Sequence, residues 1–70
     1  MTIASVSTIT ASSPLGWQDA VERGFERASQ TLRNIVRLEI VDERARVEGG
    51  KIIEYLVTLK VIFTLEGASD

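Results

Sequence analysis

The sequence predicts an α+β fold in the order β-α-β-β, a three-stranded antiparallel sheet wrapped around one helix. Three observations predict it. From Ile53 to Leu65 every odd position is apolar (Ile53, Tyr55, Val57, Leu59, Val61, Phe63, Leu65), which is the alternation of a strand. From Pro14 to about Arg33, the residues Trp17, Ala20, Val21, Gly24, Phe25, Ala28 and Leu32 recur at spacings of three and four, the period of an amphipathic helix. Gly49-Gly50 then separates two alternating stretches, where a tight hairpin requires positive φ angles.

Taken in order, residues 3–11 (IASVSTITA) are rich in Ile, Val and Thr and predict the first strand. Ser13 before Pro14 predicts a helix start with Ser13 as N-cap, because a Ser oxygen accepts from free N–H groups and Pro fits the first turn. Gly24 and Ala28 predict a close approach of that helix to the sheet, and Trp17 reads as a core aromatic. Asn34 is the expected helix terminator. From Ile35 to Glu48 a second strand is predicted, with Val36, Leu38 and Ile40 facing one way and Arg37, Glu39, Val41 and Glu43 the other. The helix is expected to cover Leu38, Ile40 and the odd positions of the last strand. The opposite, convex face is expected to show Arg37, Glu39, Val41, Glu54, Leu56, Thr58, Lys60 and Ile62. The terminal GASD is expected to be a frayed tail.

Seventy residues predict a single domain over 1–70, too small to gain a wide stability margin without disulfides, metals or oligomerisation. With no Cys, disulfides and thiolate metal sites are excluded. Oligomerisation is the remaining route. Leu56 and Ile62 make the second sheet face partly apolar, and 70 residues offer nothing further to cover it, so a homo-oligomer is expected.

Ten acidic and eight basic residues, mixed in sign, form no basic stripe for nucleic acid. The N-terminus lacks a basic leader and no apolar run approaches the roughly 18 residues of a membrane span, so a soluble cytoplasmic protein is expected. Enzymatic activity is not expected. There is no His or Cys to act as base or nucleophile, and Glu48-Gly49-Gly50 reads as a hairpin and not a phosphate cradle.

Ser13-Pro14, the stretch ERASQTLRNI (Glu26 to Ile35), Glu39 and the run YLVTLKVIFTLE (Tyr55 to Glu66), in a chain of this length and element order, together resemble the dodecins, small flavin-binding proteins of bacteria and archaea. The resemblance covers nearly the whole chain. It implies a hollow homododecamer of tetrahedral symmetry built from trimers, with convex sheet faces meeting across two-fold axes.

Dodecins of the usual type stack paired flavins between symmetry-related Trp side chains and contact each isoalloxazine with a Gln. Here the Trp position is Arg37 and the Gln position Leu56. The first change removes an aromatic stacking surface, and the second keeps apolar contact but loses amide hydrogen bonds. Asp42 falls where archaeal members place an acidic residue near the ribityl chain, whereas Thr64 falls where several bacterial members carry an Arg that meets phosphate. The implied pocket comprises Val36, Arg37, Leu38, Asp42 and Leu56.

Two readings of function follow. In one, the chain is a storage protein for FMN, riboflavin or another anionic small molecule. In the other, it is a structural shell with a degenerate flavin site that binds a divalent cation, Ca²⁺ or Mg²⁺, through carboxylates such as Glu39, Glu43, Glu48, Glu54 and Glu66. Arg37 itself has two readings. It pairs with Glu39 or Glu54 of a neighbouring subunit, or its guanidinium plane engages the ligand.

Overall fold

The computed structural model describes residues 2–66; the expected C-terminal tail lies outside them. Four elements follow one another, β1 (Thr2–Ser13), α1 (Trp17–Ala28), β2 (Ile35–Glu48) and β3 (Lys51–Glu66). The strands form one antiparallel sheet in the order β1-β3-β2, so the most regularly alternating strand lies in the middle. β2 and β3 are joined by Gly49 and Gly50, whose φ angles of 57° and 74° are the left-handed pair a two-residue hairpin requires. This α+β architecture is the one the sequence predicts.

The core sits between the odd positions of β3 and the helix. Val57 and Leu59 are buried on β3 beneath Ala20, with Ile9, Ala11 and Val21 packed around them, and Val61 is buried further along the strand. Gly24 explains how the helix comes so close. A Cβ at that position would lie 3.1 Å from the Ala11 Cβ and 3.2 Å from the Leu59 Cδ1.

The helix is shorter than its period implies, and its cap differs. Ser13 does not cap α1, because it is still paired with Tyr55 as the last residue of β1; Gly16 precedes the first turn instead. The buried Ser13 hydroxyl accepts from the Leu15 N–H at 3.0 Å and donates to Asp19 Oδ2 at 2.5 Å, which fastens the β1–α1 corner. At the other end, the Ser29 hydroxyl donates back to the Phe25 C=O at 2.8 Å and the chain leaves the helix after Ala28, five residues before Arg33. Hydroxyls that bond the preceding turn compete with continued helix. Asn34 adopts φ 60° and terminates the connection, not the helix; its C=O accepts the Thr64 N–H at 3.1 Å.

Two further corrections concern β2. The helix rests on β1 and β3 and leaves most of β2 uncovered, so Ile40 remains 55% exposed and Phe25 44% exposed, in place of the expected burial of Leu38 and Ile40 under it. The strand also breaks register at Val36 and at Val41, each an extra residue against β3. A one-residue insertion flips every side chain beyond it. Glu43 therefore pairs with Val57 on the helix side, whereas Asp42, Arg44 and Arg46 join Arg37 and Glu39 on the open side.

Asp19 gives this corner a pH dependence. The Ser13 hydroxyl, and after it the Arg23 guanidinium at 2.6 Å, hold its carboxyl below the usual carboxylate range. A folded-state pKa below the unfolded one contributes stability that is fully present above the unfolded value, about 3.9, and is lost as pH falls through the folded value. Thermal melts between pH 2 and 6 are expected to show a smaller acid-side loss for Asp19→Asn than for the parent chain; equal slopes would remove Asp19 from the acid response.

The open face of the sheet as a candidate binding site

On the side away from α1, the register aligns side chains in rows across the sheet. The first holds Val6, Ile62 and Arg37; the next holds Thr8, Lys60 and Glu39; then come Thr10, Thr58 and Asp42; the fourth holds Ser12, Leu56 and Arg44. The apolar side chains Val6, Ile62 and Leu56 thus lie in the two outer rows, each beside an Arg of β2, and the two inner rows hold only charges and hydroxyls. Val6 is 55% exposed, Leu56 is half-buried, and Ile62 is buried at 6%. Thr10 and Thr58 bring their hydroxyls within 3.4 Å of each other in the third row.

The charges of β2 pair mainly along their own strand. Arg37 Nε donates to Glu39 Oε2 at 3.0 Å, and Arg44 lies 3.3 Å from Asp42. Arg46 reaches Glu54 at 3.0 Å and Glu48 at 3.5 Å. The partners expected for Arg37 across a subunit contact are thus partly met within one chain, by Glu39 itself. All these pairs are exposed, and such pairs contribute up to about 1 kcal/mol each.

Of the five residues expected in the pocket, Arg37, Asp42 and Leu56 share the open face. Val36 is the extra residue of the first bulge and is 61% exposed, and Leu38 pairs with Val61 and so faces the helix side. Within one chain the three on the open face do not converge. Arg37 stands opposite Ile62 and Leu56 opposite Arg44, six residues apart along β3, or about 20 Å. Sequence reasoning missed Arg44 and Arg46 as members of this face, because it carried the alternation straight through Val41.

Elsewhere, a groove of about 390 Å³ runs between β1 and α1, lined by residues that include Ile9, Gly24, Arg27, Thr31 and Leu32; none of the expected pocket residues borders it. Trp17 is 37% exposed and not a fully buried core aromatic. Its ring meets Tyr55 edge-on at 4.9 Å, and its Nε1 donates to the Arg44 C=O at 2.9 Å, tying the start of the helix to β2. Among the described residues no three acidic groups converge to hold a metal ion, and no helix is long and apolar enough to cross a membrane.

A small antiparallel sheet with one face on a single helix and the other open defines a class of subunit whose free face is available for binding or self-contact. The chain matches the dodecin family model over residues 3–66, and it belongs to the dodecin family. Its fold is similar to that of dodecin from Streptomyces coelicolor, with a TM-score of 0.90, 34% identity and 96% of each chain covered. Dodecin from Streptomyces davaonensis gives a TM-score of 0.89 and 38% identity over 94% of this chain and 97% of that one. The calcium-chelating calcium dodecin of Mycobacterium tuberculosis gives a TM-score of 0.79 and 25% identity over 94% of each. No curated protein matches the chain.

Proposed function

We propose that this single-domain chain is a cytoplasmic storage or buffering protein that assembles into a hollow homododecamer of trimers and sequesters FMN or riboflavin without turning it over. The observation that carries this reading is the placement of Arg37 and Leu56. They share the open face yet lie about 20 Å apart in one chain, so a pocket that uses both takes them from two copies facing each other. Binding and assembly are then one event.

In such a pocket Arg37 presents its guanidinium plane to the isoalloxazine, Leu56 of the other copy supplies apolar contact, and Asp42 accepts hydrogen bonds from the ribityl hydroxyls. Val36 and Leu38 flank Arg37 on β2. The Arg37–Glu39 pair competes with the ligand for the guanidinium, so binding weaker than an indole would give is expected. The absence of His and Cys supports a binder over a catalyst.

Arg37→Trp tests the pocket. It adds an aromatic stacking surface worth about 0.5–1.5 kcal/mol, so flavin affinity, read from fluorescence quenching, is expected to rise up to about tenfold. A variant that assembles like the parent and leaves flavin fluorescence unchanged would remove Arg37 from the pocket.

A second reading, a shell that binds Ca²⁺, is favoured by one observation, the likeness to a calcium-chelating dodecin. Glu39, Glu48 and Glu54 are each engaged by an Arg of the same chain, so this reading requires carboxylates from several copies. Calorimetric titration with Ca²⁺ separates it from the first.

A further inference from the structure

We infer that the groove between β1 and α1 is a second ligand site, which takes the extended chain of an aliphatic carboxylate and holds its head group at Arg27, with Arg23 beside it. The groove lies on the helix side of the sheet, across it from Arg37, Asp42 and Leu56, so it stands or falls apart from the flavin reading.

Small residues shape the groove and apolar ones line it. Gly24 and Ala28, one turn apart on α1, put no bulk toward β1, and Gly24 comes so near that strand that a Cβ there would lie 3.1 Å from the Ala11 Cβ and 3.5 Å from the Ile9 Cδ1. Leu32, whose N–H donates to the Ala28 C=O at 2.8 Å, carries the apolar lining past the last turn of the helix. On the strand side the lining runs from Ser7 to Ala11, about 13 Å, a length that an extended decanoate spans. The volume of about 390 Å³ is that of a small-molecule site.

Charge decides the class of ligand. The lining holds two arginines and no acid, in a chain whose net charge is −2. Arg23 and Arg27 stand four residues apart on the helix, where like charges repel and weaken it. Asp19 engages Arg23 at 2.6 Å, but Arg27 is exposed and, among the described residues, makes no ion pair. The facing strand has no charged residue from Thr2 to Ser13, so nothing on it repels an anion. A carboxylate at the mouth matches the planar fork of Arg27 and relieves the repulsion with Arg23. The chain behind it displaces water from Ile9, Ala11, Ala28 and Leu32. A small inorganic anion would leave that apolar bed wet, and a neutral chain would leave Arg27 unpartnered.

The test titrates the full chain, in the assembly it forms, with octanoate, decanoate and dodecanoate below their micellar concentrations. Calorimetry is expected to show saturable binding of one molecule per subunit. Affinity is expected to rise up to about fourfold per added methylene until the groove is full. The methyl NMR signals of Ile9, Ala11, Ala28 and Leu32 are expected to shift on binding. Arg27→Glu, at an exposed position outside the core, is expected to lower decanoate affinity about tenfold or more, with circular dichroism and the binding of 1-decanol unchanged.

An absence of saturable binding, or methyl shifts confined to the open face, would overturn the site. Decanoate that binds Arg27→Glu as well as the parent, or that binds the parent no better than 1-decanol, would overturn the role of the arginines. Binding only to subunits dissociated from the assembly would mean that another copy covers the groove, and would overturn the inference as well. A protein that ignores flavin yet passes these tests would keep this site and lose only the flavin reading.

Discussion

Leu59→Ala is expected to cost about 3 kcal/mol, within the range of 2–5 kcal/mol for truncation of a buried Leu, and in a chain this small that is most of the stability. Leu59 is fully buried at the centre of the middle strand, between Ile9 on β1 and Ile40 on β2. Three of the residues around its tip, Ala11, Ala20 and Gly24, are already small and have little side chain with which to fill the space left behind, so most of the cavity's cost remains. Urea unfolding at matched protein concentration measures the effect, since assembly adds to apparent stability by mass action. A loss under about 1 kcal/mol would place the core elsewhere. The same truncation at Val47, 59% exposed in the hairpin, is expected to change subunit stability by less than about 0.5 kcal/mol.

Gly24→Val is the second large effect and has the opposite sign of volume. Helix propensity alone favours replacing a Gly inside α1, by up to about 1 kcal/mol for Ala. Packing opposes it, because the first carbon already meets the Ala11 Cβ at 3.1 Å and the Leu59 Cδ1 at 3.2 Å. The Ala11 Cβ is fixed to the strand backbone and cannot turn aside. The two further methyl groups of Val force the helix off the sheet, at a cost of about 3 kcal/mol at the upper end of overpacking. Unfolding curves and the fraction of assembled protein are both expected to fall. A variant as stable as the parent would mean that α1 does not rest on β1 and β3 as closely as this contact requires.

Much of this fold is legible in the sequence, and the parts that are not have physical causes. The bounds of β2, Ile35 and Glu48, and the hairpin at Gly49-Gly50 follow from alternation and turn chemistry, which are local. The helix ends do not. Ser13-Pro14 has the look of a cap, but pairing with Tyr55 keeps Ser13 in the strand, and cross-strand pairing over 42 residues leaves no local signal. The bulge at Val41 does leave one. Leu38 and Ile40 are apolar at even positions, Ala45 and Val47 at odd ones, and that change of phase marks a one-residue insertion between them. Shifting the alternation by one residue there assigns Arg44 and Arg46 to the open face. The proposed pocket is legible only through resemblance, because Arg37 and Leu56 lie on different strands and stand about 20 Å apart within one chain, so no local pattern links them.

The central claim is that the chain assembles through its open sheet face and holds flavin there. Native mass spectrometry after incubation with excess FMN and riboflavin tests it most directly. The expected result is a twelve-subunit species whose mass is raised by bound flavin and which loses that flavin when it is dissociated into smaller units. Monomers or trimers that leave flavin free would contradict the claim, and an empty twelve-subunit shell would contradict its ligand.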